Sequence, residues 1–425
     1  MIWRRIRMKN DLLRAFDRWL ALPLCFVARW LNRNATPSAR TDIGEAPTIC
    51  VAKFAGLGSI LNTTPLLRAV RRRYPSARIV YLTFAKHREL VRRMALIDEC
   101  LYIDDRSIQS LVRSFLLVNR RLHELNVKYY LDLQYYNLCY FSALLAVLCG
   151  ASRTIGFFRQ SNRIKSCFFT QAIYFNSYQP LQRMFREMAR AVGGDSCDLV
   201  TARERSLVTF PQDHAEIKRL LSSWNNGLER LLVVNANASS VRLERRWPRE
   251  SFARTASELL VRLPDLRVAL IGTDDERDYV EELSLMIGGS DKRVLNLAGM
   301  LSLGGLIALL NDADCLLTND TGPMHAAFAL KTPTVALFGP SNPRDQIAQA
   351  DLQKTIIFYG QVFCSPCVHF ISPTPCGGIN ACMRQISVSS VRAACLALLT
   401  GSPPREIIDA WSQPLSHERT VEFVS

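Results

Sequence analysis

Between Cys315 and Phe338 the chain spells out a whole strand–turn–helix–strand unit, and this limits the possible folds more than any other stretch. Cys315-Leu316-Leu317-Thr318 is an apolar strand-like run, and Asn319-Asp320-Thr321-Gly322-Pro323 reads as a turn. A small-residue helix follows over 325–330, then a second strand, Thr334-Val335-Ala336-Leu337-Phe338, ended by Gly339-Pro340. Apolar strands joined through a helix are parallel neighbours, and parallel sheets are covered on both faces. The turn opens a helix N-terminus, whose free N–H groups and dipole favour an anion above the sheet. Asp320 suits a helix cap, Gly322 a close backbone approach, and Pro323 the first helical turn. His325 then stands near the mouth as a donor. The same letters also fit a well-capped connection that binds nothing.

The strand–helix rhythm recurs along the chain in two series. The first has strands over 48–54, 78–84, 101–103 and 129–133, with helices over 60–73, 108–125 and 137–148. The second has strands over 231–235, 267–271, 294–297, 314–317, 334–338 and 355–359, with helices over 251–262, 276–287 and 303–310. Alternating units of this kind imply α/β architecture. At 425 residues, two domains are expected. The expected division is a basic amphipathic extension over 1–46, a Rossmann-like domain over 47–195 and an inter-domain segment over 196–230. A second Rossmann-like domain over 231–402 and a tail over 403–425 complete it. Two doubly wound domains in tandem are expected to face a cleft, at whose strand ends ligands bind.

Net charge is +15, from 53 basic and 38 acidic residues, which favours anionic partners. No segment reads as a nucleic-acid module, and aromatic residues do not interleave with a basic stripe, so nucleic acid is not an expected partner. Single cysteines within apolar segments (Cys50, Cys139, Cys149, Cys315, Cys395) suit buried thiols in a reducing compartment. Near the N-terminus, Leu12, Leu13, Phe16, Trp19 and Leu20 share one helical face, with Arg14, Asp17 and Arg18 opposite; Leu24, Val27, Trp30 and Leu31 extend the stripe. The apolar run over 19–28 is about half of the ~20 residues a membrane span needs. It reads either as an interfacial helix on an anionic membrane surface or as a helix packed on the protein's own body.

Three further motifs carry chemistry. Gly56-Leu57-Gly58 lies where a dinucleotide fingerprint would lie, but the third glycine is replaced by Leu61 and no acidic residue ends the next strand, so a nicotinamide oxidoreductase is disfavoured. Gly56 and Gly58 instead let the loop lie close to a substrate. After the strand over 231–235, Ser239 and Ser240 followed by Arg242, Arg245 and Arg246 offer hydroxyls and guanidinium groups for a diphosphate, or form a solvated basic loop. Cys364, Cys367, Cys376 and Cys382 fall within nineteen residues and admit a structural Zn²⁺ site, reduced thiols, or a disulfide pair.

Taken together, the segments resemble glycosyltransferase family 9, whose best-known members are the ADP-heptose:lipopolysaccharide heptosyltransferases. The resemblance spans roughly residues 48–400. It is carried by Asp320-Thr321-Gly322-Pro323-Met324-His325 with Thr332-Pro333-Thr334 through Gly339-Pro340. Thr63-Thr64-Pro65-Leu66-Leu67-Arg68-Ala69, Arg246-Trp247-Pro248 and Cys364-Ser365-Pro366-Cys367 also carry it. It implies a GT-B fold with the acceptor on the N-terminal domain and the nucleotide sugar on the C-terminal one. It further implies an inverting glycosyltransferase that requires no cofactor for catalysis. By resemblance, Asp320, Thr321, Gly322 and His325 contact the donor's diphosphate and sugar, Ser239, Ser240 and Arg245 or Arg246 bind phosphate, and Glu276 meets the ribose.

One position departs from the family. Where its usual catalytic Asp stands, after Gly58, this chain has Ser59, whose hydroxyl alone is far too weak a base near neutral pH. Three readings follow: Asp132 takes the proton, the leaving diphosphate or water takes it, or the protein binds without turnover. The expected partners are a nucleotide-diphosphate sugar, a lipid-linked saccharide acceptor and an anionic membrane surface, with the protein cytoplasmic and peripheral on the inner face of the cell membrane. The alternative is a non-catalytic sugar-nucleotide-binding protein of an envelope assembly complex.

Overall fold

A computed structural model describes residues 17–31, 46–54, 56–136, 138–179, 181–194, 205–222, 230–238, 242–289, 291–347, 354–368 and 374–401. The chain divides into two compact units, 1–202 and 203–425.

The first unit holds a six-stranded parallel sheet: β1 (Thr48–Ala52), β2 (Arg78–Phe84), β3 (Glu99–Ile103), β4 (Tyr129–Asp132), β5 (Arg153–Phe158) and β6 (Gln171–Tyr174), in the order β3-β2-β1-β4-β5-β6. Ile49, Cys50, Val51 and Ala52 are all fully buried, as a strand covered on both faces requires. Cys50 lies opposite Val80 on one side and Tyr130 on the other.

The second unit repeats the plan with β7 (Arg230–Asn235), β8 (Leu266–Leu270), β9 (Val294–Asn296), β10 (Cys315–Asn319), β11 (Thr334–Phe338) and β12 (Thr355–Tyr359), ordered β12-β11-β10-β7-β8-β9. Each sheet therefore reverses direction once, between β1 and β4 and between β10 and β7. Such a reversal opens a crevice at the carboxyl ends of the two strands. This is the doubly wound α/β class the strand–helix rhythm implies.

Several elements differ from the sequence reading. β5 and β6 were not foreseen. β5 carries Gly156, where an added Cβ would come within 2.2 Å of the Phe169 ring, so this position is held by close ring packing. The helix expected over 60–73 is two, Leu57–Leu61 and Thr64–Arg73. Pro65 lacks the N–H that a continuous helix needs, and the Thr63 hydroxyl donates to Ile60 O at 2.7 Å across the break. The segment expected to join the two domains contains the helix Pro211–Leu220, whose Glu216 accepts from Ser302 N at 2.8 Å.

The described part of the N-terminal extension is a π-helical turn, Asp17–Ala21, running into the helix Leu22–Leu31; Leu12, Leu13, Phe16 and the tail over 403–425 lie outside the described residues. The reading of a helix packed on the protein's own body holds for one face. Ala21, Cys25 and Ala28 are buried in the first unit's core, and the opposite face is exposed. The docking is polar as well as apolar. The helix Cys139–Leu148 starts at Leu138, which supplies no side-chain cap. Asp17 takes that place: its carboxylate accepts from the N–H groups of Cys139 (2.8 Å), Tyr140 (3.0 Å) and Phe141 (2.8 Å). Asp17→Ala is expected to lower the unfolding free energy by about 1–2 kcal/mol, the usual cost of a lost cap. Urea denaturation measures it.

Candidate functional site

In the second unit the strand reversal lies between β7 and β10, and the polar side chains at their carboxyl ends are tied together. Asn319 is fully buried; its amide donates to Ala236 O (3.0 Å) and Asn237 O (3.1 Å), and its Oδ1 accepts from Trp247 N at 3.0 Å. Asn235 donates to the hydroxyls of Thr318 (2.9 Å) and Thr321 (2.6 Å). Trp247 is itself fully buried, edge-on to Phe252, and donates through Nε1 to Ile386 O at 3.1 Å. These bonds fix the loop after β7, the turn after β10 and the chain before the helix Arg249–Arg262 as one assembly.

The helix after β10 runs Gly322–Leu330, one turn earlier than the sequence suggests. Its cap is Thr321 and not Asp320, and the Thr321 side chain makes no capping bond. Thr321 and Gly322 are half-buried at the mouth, while Met324 onward is interior. Asp320 is 2% exposed: Oδ2 accepts from Ser341 Oγ at 2.6 Å and pairs with Arg245 Nε at 3.4 Å, and the Arg245 guanidinium also donates to Asp320 O at 3.3 Å. Asp320 thus holds Arg245 beside an N-terminus without a side-chain cap, joining a fixed cation to free N–H groups, which is the chemistry of an anion site. His325 is 8% exposed and edge-on to Phe328 at 6.4 Å.

The other expected donor-side residues divide. Arg246 does not share the place of Arg245; it stacks on Tyr279 at 4.1 Å and lines a separate cavity of about 330 Å³ with Arg249, Asn380 and Arg384. Glu276, after β8, closes a local turn by accepting from Thr273 N at 2.9 Å. Ser239 and Ser240 lie outside the described residues. Ser341 was missed by sequence reasoning; the only signal was its place directly after the strand end Gly339-Pro340.

In the first unit Gly56 has φ 76° and is exposed, and Gly58 and Ser59 are half-buried in the short helix Leu57–Leu61. Asp132, at the end of β4, does not reach the surface. It is fully buried and ion-paired with the equally buried Lys165 at 2.9 Å, while its Oδ1 accepts from Gln134 N at 2.9 Å. Lys165 donates to Gln134 O at 2.6 Å. Lys53, also buried, donates to Leu133 O at 2.9 Å and lies over the Tyr135 ring; burial pushes its ammonium down to about 7, with Asp132 opposing that shift. Asp132 thus sits in an interior ion cluster and not at an exposed edge, a position that does not favour it as the base.

The four clustered cysteines are free thiols lining one cavity of about 10 Å³ beside Pro340 and Glu244. Among the described residues no three His, Cys, Asp or Glu are grouped to hold a metal ion, so structural zinc lacks support. The segment instead packs the sheet end. A Cβ on Gly339 would come within 2.8 Å of the Cys382 sulfur, and one on Gly360 within 1.7 Å of Cys382 O. Burial pushes the Cys382 thiol up to about 11, which favours the neutral form.

Two doubly wound α/β units in one chain, the second with an anion-suited turn at its strand reversal, are the architecture of the GT-B class. The sequence profile of glycosyltransferase family 9 (heptosyltransferase) matches residues 118–376, and the chain belongs to that family. Among curated relatives, "Lipooligosaccharide heptosyltransferase 2" of Haemophilus influenzae is 32% identical over 101 residues, 24% of this chain and 29% of that protein. The chain thus matches under a third of that relative's length. Among solved structures, a glycosyl transferase family 9 protein from Veillonella parvula superposes with a TM-score of 0.69 at 21% identity, covering 84% of this chain and 98% of that one. The E. coli ADP-heptose lps heptosyltransferase II gives a TM-score of 0.64 at 20% identity, over 84% and 99%.

The interior cluster of the first unit yields a test of Asp132. Asp132→Asn is expected to cost about 3–5 kcal/mol of stability, the usual cost of breaking a buried ion pair. Chemical denaturation reads it, whereas a surface catalytic base would leave the unfolding midpoint in place.

Proposed function

We propose that this chain is an inverting glycosyltransferase, moving a sugar from a nucleotide-diphosphate donor to a lipid-linked saccharide such as lipopolysaccharide. Heptose is the favoured sugar, since the solved neighbour from E. coli is named for ADP-heptose and the Haemophilus relative for heptosyl transfer to lipooligosaccharide. The single observation carrying the proposal is Arg245, paired with the Asp320 carboxylate that Ser341 also holds, beside the N-terminus of the helix Gly322–Leu330.

In this reading the acceptor hydroxyl oxygen attacks the anomeric carbon from the face opposite the leaving group, and the bond from that carbon to the diphosphate breaks. Negative charge grows on the departing diphosphate, where Arg245 and the N–H groups of the first helical turn meet it. That fixed positive field does the work a metal ion would otherwise do. Asp320 and Ser341 orient Arg245, while Thr321 and Gly322 lie against the donor. Gly56 and Gly58 let the acceptor approach the first unit's loop. With Ser59 at the usual Asp position and Asp132 enclosed, the acceptor's proton passes to the leaving diphosphate or to water. The protein works on the inner face of the membrane; no described helix is long and apolar enough to cross one.

Ser59 supports a second reading, a non-catalytic sugar-nucleotide-binding protein of an envelope assembly complex. Incubating purified protein with ADP-heptose and a lipid-linked acceptor separates the two: product supports the transferase, and saturable binding without product supports the second reading. Arg245→Ala is expected to weaken nucleotide-diphosphate binding by about 1.5–3 kcal/mol, the range for a lost charge-assisted contact. Asp320→Asn should weaken it less, because the amide oxygen still accepts from Arg245. Calorimetry with ADP and ADP-sugars measures both.

A further inference from the structure

The first unit carries an apolar surface that neither sheet nor site uses. In the fifteen residues 17–31, Trp19 is 78% exposed, Trp30 69% and Leu31 64%, and Leu20, Leu24, Phe26 and Val27 are each 43–53% exposed. The helix Ile108–Glu124, expected from sequence only as a crossover between strands, has the same two-sided character. Its inward stripe is Leu111, Phe115, Val118 and Leu122. Its outward stripe is Ile108 (81%), Val112 (51%) and Leu116 (62%), spaced i, i+4, i+8, with Leu117 (58%) beside it. A helix over a sheet needs one apolar face, so a second one is unexplained by folding.

The two helices share a support. Asp17 caps the helix Cys139–Leu148, and Cys25 Sγ donates to Tyr140 O at 3.3 Å. Phe115 meets Phe141 of the same helix at 5.7 Å. The charges that flank the exposed stripes are of one sign. Arg18 and Arg29 are exposed, and no acidic residue occurs over 18–31. From Ile108 to Asn119 the only charged residue is Arg113, also exposed. Asp17, the one carboxylate of the first segment, is turned inward and 7% exposed.

We propose that the helices Leu22–Leu31 and Ile108–Glu124 form one two-helix surface that lies on an anionic lipid bilayer. Tryptophans and arginines at the edge of an apolar helical face match the headgroup boundary, where the rings enter and the guanidinium groups meet lipid phosphates. A second copy of the chain fits less well, because a two-fold contact would bring together the same arginines over 18–31 and 108–119, where no acid stands. The proposal deepens the membrane location given above, and its test requires neither donor nor catalysis.

The test is flotation of the full chain with vesicles of phosphatidylcholine alone or enriched in phosphatidylglycerol, at about 0.15 M salt, where the screening length is about 8 Å. Binding to the anionic vesicles and weak binding to the neutral ones is expected. Two sets of exposed-residue variants, Trp19→Ser with Trp30→Ser, and Ile108→Ser with Val112→Ser and Leu116→Ser, should each lower the bound partition by about tenfold. Their unfolding midpoints should stay unchanged. Undiminished binding of the second set overturns the role of Ile108–Glu124, and undiminished binding of both leaves only charge attraction and overturns the surface. Loss of vesicle binding in the wild-type chain together with a concentration-dependent doubling of mass assigns the face to a second copy instead. Transfer to a soluble acceptor, assayed in parallel, separates failure of this surface from failure of the transferase reading.

Discussion

One buried amide organises the second unit. Asn319 ends β10 and has no solvent contact, yet it joins the backbone after β7 to the backbone of Trp247 with two donated bonds and one accepted. A buried amide left without partners is costly, so all three segments are held in place at once. Only in that frame do Arg245, from before one helix, and Ser341, from after β11, meet on the same Asp320 carboxylate. The site is thus a product of non-local bonding at a strand reversal, with the helix N-terminus as one part of it.

The two sheets share a strand order but use their reversals differently. Between β10 and β7 the polar groups face a helix start whose first residues stay half-buried. At the carboxyl ends of β1 and β4 the interior instead holds Lys53, Asp132 and Lys165: Asp132 and Lys165 form an ion pair, and burial pushes the Lys53 ammonium down to about 7. Desolvated charge of this kind persists only with close partners. The cluster contributes no exposed acid or base.

How much was legible follows from how local each signal is. The strands of the second unit were readable because Leu231 to Asn235, Thr334 to Phe338 and Thr355 to Tyr359 are unbroken apolar runs between turn residues. β5 was hidden by Gly156, whose reason is the Phe169 ring from another element, and β6 by its half-buried edge position. At the site, Asp320, Thr321 and Gly322 could be picked out because strand, turn and helix are contiguous. That Thr321 caps while Asp320 turns to Arg245 depends on partners far along the chain, as does the divergence of Arg245 and Arg246. The cysteine spacing suggested zinc because spacing alone does not reveal that Cys382 is wedged against Gly339 and Gly360.

The Asp17 carboxylate gives the N-terminal extension a share in the integrity of the domain. Residues 17–31 precede the 118–376 stretch that matches the family, and a protein engineer shortening the chain for expression would discard them first. Doing so strips the acceptor from three N–H groups of the helix Cys139–Leu148 and uncovers Cys25's and Ala28's neighbours in the core. A shortened protein that fails to sediment with membranes would therefore be a damaged domain, and point replacements on the outer face are the cleaner instrument.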